Sequence, residues 1–150
     1  MPRRASRPII PSVVTAENSG DQLEKPKRLS EEMMLLIVDD NAAMRRLIRR
    51  MTRDLAERIE ECEDGAQALA AYERHHFGAN DWVLMDIEMA GLDGFVATQQ
   101  LCAAHPEARV LIVTKYDDDL MRRRAFSSGA RGFINKENLL ELRALLHREH

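Results

Sequence analysis

A chain of 150 residues with 45% hydrophobic residues can bury one core, and two full domains would be crowded. A formal net charge of −3, with sixteen Lys/Arg against twenty Asp/Glu beyond residue 32, excludes the strongly basic composition of an ordinary nucleic-acid binder. No apolar run is long enough to span a bilayer, and two widely spaced cysteines, Cys62 and Cys102, read as reduced thiols rather than a disulfide framework, so a soluble, cytoplasmic protein is expected.

In chain order, residues 1–31 hold Pro2, Pro8, Pro11 and Pro26, mixed charges and no sustained periodicity, the composition of a disordered tail. The run Ile9-Ile10-Pro11-Ser12-Val13-Val14 reads as solvated leader before it reads as a docking motif. A folded domain is expected over residues 32–150, where five strand-like runs alternate with five helix-like ones. The predicted strands are Met34 to Val38, Ile59 to Cys62, Trp82 to Met85, Val110 to Val113 and Gly132 to Ile134. Short apolar runs of this kind belong to strands buried on both faces, and the alternation gives an α/β fold, a doubly wound parallel sheet flanked by helices.

The first helix has Met44, Leu47, Ile48, Met51 and Leu55 at helical spacing, a cap in Asp40 or Asn41, and Arg45, Arg46, Arg49, Arg50 and Arg53 on its other faces. That basic surface fits a solvated face and a kinase-docking face equally well. The second helix starts near Asp64-Gly65 and the third runs from Gly94 to Ala104, before Pro106. The fourth follows Asp117-Asp118-Asp119 and ends at Ser128-Gly129, and its Arg122-Arg123-Arg124 is equally open between solvent and a partner. The last, Asn138 to about Glu149, buries Leu139, Leu142 and Leu146.

Asp39-Asp40, Asp86, Thr114 and Lys136 all fall at or just past the carboxyl ends of predicted strands, the sheet edge where ligands bind in such folds. Taken alone, Asp39-Asp40 would be a helix cap; together with the other three it becomes a site. Close carboxylates repel unless a cation joins them, and an all-oxygen set favours a hard ion such as Mg²⁺. With Lys136 as a fixed positive charge and the Thr114 hydroxyl as a donor, the set suits phosphoryl transfer onto a carboxylate.

Residues 33–150 resemble the receiver domain of bacterial two-component response regulators. The likeness rests on Ile37-Val38-Asp39-Asp40-Asn41, on Asp86 followed by Met89-Ala90-Gly91-Leu92-Asp93-Gly94, on Val113-Thr114, and on Gly129-Ala130-Arg131-Gly132-Phe133-Ile134-Asn135-Lys136. It implies a flavodoxin-like sheet of strand order 2-1-3-4-5, with Asp86 as phosphoacceptor. It further implies that Mg²⁺ is held by Asp40, Asp86 and the Glu88 backbone carbonyl, with Asp39 acting mainly through bound water. Lys136 would pair with the carboxylate or phosphoryl group, Thr114 would bond the phosphoryl oxygen, and Phe133 would move with Thr114. The sequence departs from the family pattern at Ala90, where proline is common and a looser loop is expected, at the bulky Lys115, expected to hinder the inward position of Phe133, and at Glu137.

The similarity of Arg109 to Glu137 is greatest to receivers often fused to helix-turn-helix output domains. No such output follows here, so a stand-alone, single-domain type without a DNA-binding domain is expected. Its partners would be a histidine kinase or phosphotransfer protein upstream and, downstream, a protein or a second copy met through the fourth helix, fifth strand and fifth helix. It would not be an enzyme beyond self-phosphorylation and slow self-dephosphorylation. The alternatives are an interaction module that works without phosphorylation, and an aspartate-nucleophile phosphohydrolase suggested by Asp86-Ile87-Glu88; such enzymes normally carry the nucleophile after the first strand.

Overall fold

The computed structural model describes residues 33–116 and 118–148. The expected disordered tail over residues 1–31, and Asp117 and Glu149, lie outside the described residues.

Five parallel strands form one sheet: β1 (Met33–Val38), β2 (Ala56–Cys62), β3 (Trp82–Met85), β4 (Arg109–Thr114) and β5 (Gly132–Asn135), in the order β2-β1-β3-β4-β5. The doubly wound, flavodoxin-like topology read from the sequence is the one observed. Five helices connect or follow the strands: α1 (Ala42–Thr52), α2 (Ala66–Arg74), α3 (Gly94–Ala104), α4 (Asp119–Ser127) and α5 (Leu140–Arg148).

Successive strand side chains point to opposite faces, so the sheet has two cores. On one face Met34, Leu36, Val38, Val83, Met85, Val110 and Ile112 pack against Tyr72 of α2, Phe95 and Leu101 of α3 and Ala125 of α4. On the other, Leu35, Ile37, Trp82, Leu84, Leu111 and Val113 pack against Ile48 of α1 and Leu142 and Leu146 of α5. The central strands β1, β3 and β4 are buried along their whole length, which is why they read as unbroken apolar runs. Each fully buried Leu, Ile or Met contributes about 1.5–3 kcal/mol against leaving it exposed.

Strands β1, β4 and β5 each extend one residue beyond one or both predicted ends, and three other boundaries differ for identifiable reasons. β2 begins at Ala56, three residues before the predicted start, because this edge strand keeps pairing with β1 while Glu57 and Arg58 face solvent and break the apolar signal. α1 ends at Thr52, and Leu55 reaches its core from the following turn, where its amide donates to the Thr52 carbonyl at 2.9 Å. The final helix opens as a 3₁₀ turn over Lys136–Asn138, whose start is held by the Asn135 side chain accepting the Glu137 amide at 2.8 Å. Both cysteines are free, and burial pushes the Cys62 thiol up to about 11, as expected of an inert core residue.

Candidate functional site

Asp39 and Asp86 leave adjacent strands at the same height. The Asp86 amide donates to the Val38 carbonyl at 2.9 Å and the Asp39 amide to the Cys62 carbonyl at 3.2 Å, so backbone bonds of the sheet type fix where each carboxylate emerges. Asp39 Oδ1 accepts the Asn41 amide at 2.8 Å, and Asn41 in turn caps α1 by accepting the Met44 amide at 3.0 Å. Of the two cap candidates, Asn41 takes the role and Asp40 is left exposed at the mouth of the site.

Lys136, from the turn after β5, reaches across the edge. Its Nζ lies 2.8 Å from Asp39 Oδ2 and 3.4 Å from Asp86 Oδ2. Burial would lower this ammonium's pKa, but the bond to Asp39 and the charges of Asp86 and Asp39 outweigh it and raise it. Asp86 is 5% exposed, and burial, reinforced by the negative charge of Asp39, pushes its carboxyl up to about 6 despite Lys136 and a backbone hydrogen bond from Glu88. These groups line a cavity of about 330 Å³ together with Asp40, Asn41, Met44, Glu88, Lys115 and Glu137.

Oxygens of Asp39, Asp40 and Asp86 lie within 4.8 Å of one another. One ammonium against three carboxylates leaves two negative charges, which a divalent cation matches. The all-oxygen donors and the strained ionisation of Asp86 therefore fit Mg²⁺.

Thr114 is fully buried at the end of β4, and its hydroxyl oxygen accepts the Tyr116 amide at 3.3 Å. Phe133, on β5 opposite Ile112, is 7% exposed with the Arg122 guanidinium 4.9 Å from its ring centre. The Lys115 side chain is exposed, with its ammonium 3.9 Å from Glu88 and 5.7 Å from the Tyr116 ring. Proline at position 90 would have no amide hydrogen, whereas the Ala90 amide donates to Asp40 Oδ2 at 3.2 Å and ties the loop after β3 to the acid cluster.

Tyr116 is the site residue that sequence reasoning missed. Its hydroxyl donates to the Glu88 carboxylate, 3.0 and 2.9 Å from the two oxygens, bridging the loops after β3 and β4 beside the acid cavity. Its position two residues beyond Thr114 was the only available signal.

The response regulator receiver domain profile matches residues 35–147. The chain is 35% identical over 103 residues to the chemotaxis protein CheY of Bacillus subtilis, covering 68% of this chain and 83% of that one. It is 32% identical over 104 residues to the response regulator GacA of Pseudomonas viridiflava, covering 68% of this chain but only 47% of that protein, about half its length. Among solved structures, the receiver domain of the histidine kinase CKI1 from Arabidopsis thaliana complexed with Mg²⁺ superposes with a TM-score of 0.65 at 20% identity, over 80% of this chain and 95% of that one.

Proposed function

Because this chain belongs to the family of response regulator receiver domains, we propose that it is a switch in two-component signalling in which Asp86 accepts a phosphoryl group from a histidine kinase or phosphotransfer protein. Receiver domains are signalling proteins rather than dedicated enzymes. The observation that carries the reading is the buried Asp86 carboxylate, which Lys136 joins to Asp39 in an open acidic cavity.

Asp86 is the nucleophile: a carboxylate oxygen forms the new bond to phosphorus as the bond from phosphorus to the donor nitrogen breaks. With its pKa near 6, it is mostly ionised at neutral pH and its lone pair is available. Mg²⁺, when bound by Asp40, Asp86 and the Glu88 carbonyl with Asp39 behind, would offset the charge that gathers on the phosphoryl oxygens. Lys136 supplies a second fixed positive charge there. The Thr114 hydroxyl donates to a phosphoryl oxygen, and as it turns, the Tyr116 amide loses its acceptor and Phe133 follows Thr114. The surface that responds is α4, β5 and α5, where a protein partner or a second copy docks. The likeness to the Mg²⁺-complexed receiver of CKI1 supports the choice of ion.

The test is labelling of the full chain with acetyl phosphate and Mg²⁺, read by mass spectrometry. One phosphoryl group on Asp86, absent from Asp86→Asn, is the expected outcome. Equal labelling of Asp86→Asn overturns the assignment, and steady turnover of an aryl phosphate would make the protein a phosphohydrolase instead.

A further inference from the structure

Beside the acid cavity, sharing Glu88 with it as a wall, lies a second groove of about 350 Å³ between the loop after β3 and α4. Its floor is apolar: Ile87, Met89 and Phe95 come from the segment following β3, and Met121 from α4. Among the described residues its rim carries the carboxylates of Glu88, Asp93 and Asp118.

The two aspartates are helix caps. Asp93 Oδ1 accepts the Val96 amide at 2.9 Å and Asp118 Oδ1 the Met121 amide at 2.8 Å, and among the described residues neither carboxylate has an ion-pair partner. Glu88 is held by the Tyr116 hydroxyl, with Lys115 3.9 Å away. Among the described residues lining the groove Arg124 is the one cation; it lies over the Phe95 ring, 4.3 Å from its centre, and adds to the apolar wall. An acidic rim around a floor containing two methionines complements a ligand with the opposite arrangement: an apolar side chain to fill the floor, and cations to meet the unpaired carboxylates. Methionine side chains adapt to the shape that enters.

We propose that this groove is a docking site for a basic segment of a partner protein, in which a long aliphatic or aromatic side chain is flanked by Lys or Arg. Docking here does not require a phosphoryl group on Asp86, so it is tested on the unphosphorylated full chain.

The probe is a blocked Lys-Leu-Phe-Arg peptide, with Glu-Leu-Phe-Glu as its charge-reversed control, titrated into protein labelled with ¹³C at the methionine methyls. The basic peptide should move the Met89 and Met121 methyl signals saturably, and the acidic one should leave them in place. Asn caps a helix as well as Asp, so Asp93→Asn and Asp118→Asn keep the fold while removing the charge. Each should weaken the basic peptide about two- to fivefold. Equal binding of both peptides, affinity indifferent to both substitutions, or no saturable shift at Met89 and Met121 overturns the proposal. So does a concentration-dependent shift of the same methyls without peptide, which would give the groove to a second copy of the chain.

Discussion

At Asp86 the chain accepts a local cost for reactivity. Its carboxyl titrates near 6 in the fold, against about 3.9 in an unfolded chain. The folded state therefore holds the proton that the unfolded state has already lost between these values, and stability falls as pH rises from about 4 through 6. About two pKa units correspond to roughly 3 kcal/mol lost at neutral pH. In EDTA at pH 7.5, Asp86→Asn should be about 1–3 kcal/mol more stable than the parent by urea unfolding, and the gap should close near pH 4. A variant less stable than the parent at pH 7.5 would mean that Lys136 more than compensates the buried charge. The same close ionic packing makes Lys136 unsuited to removal, since Asp39 and Asp86 would then face each other unpaired.

Among elements, α3 places the site most directly. Its first residue, Gly94, donates its amide to the Ile87 carbonyl at 3.0 Å, and a Cβ there would overlap the Asp86 carbonyl oxygen. The helix N-terminus can sit this close to the end of β3 only because the residue has no side chain. Gly94→Ala should cost about 3 kcal/mol and shift the Asp86 loop, as measured by urea unfolding and amide chemical shifts. Gly91 is the internal comparison: it has φ +86° and nothing within 4 Å of a built Cβ, so alanine there meets only backbone strain of about 1–2 kcal/mol. If the two variants lose equal stability, close approach is not what selects glycine at Gly94. α1 contributes differently, through Arg45 and Arg49. Both bond Glu61 on β2, and Arg45 also donates to the Asp39 carbonyl at 2.7 Å, while Arg46, Arg50 and Arg53 stay exposed.

For the molecule as a whole, the order β2-β1-β3-β4-β5 puts the site strands β1 and β3 in the sheet interior, covered on both faces. Local opening is costly there and cheaper at β2, whose outer residues are exposed. Amide exchange should therefore be slowest in β1, β3 and β4 and fastest among the strands in β2. Protection in β2 equal to that of β1 would show that the sheet opens only as a unit. No helix among the described residues is long and apolar enough to cross a membrane.

By itself the sequence determined the strands, the pairing of acidic residues with strand ends, and the convergence of Asp39, Asp40, Asp86 and Lys136. Burial on both faces leaves unbroken apolar runs, and a parallel sheet brings all its carboxyl ends to one edge. The β2 boundary was illegible because an edge strand half in water carries charges that hide its pairing. Tertiary structure alone decided the bond from Ala90 to Asp40, the bridge from Tyr116 to Glu88, the Arg122 contact with Phe133 and the close approach at Gly94. Each depends on a particular rotamer or backbone distance, and such contacts leave no periodicity along the sequence.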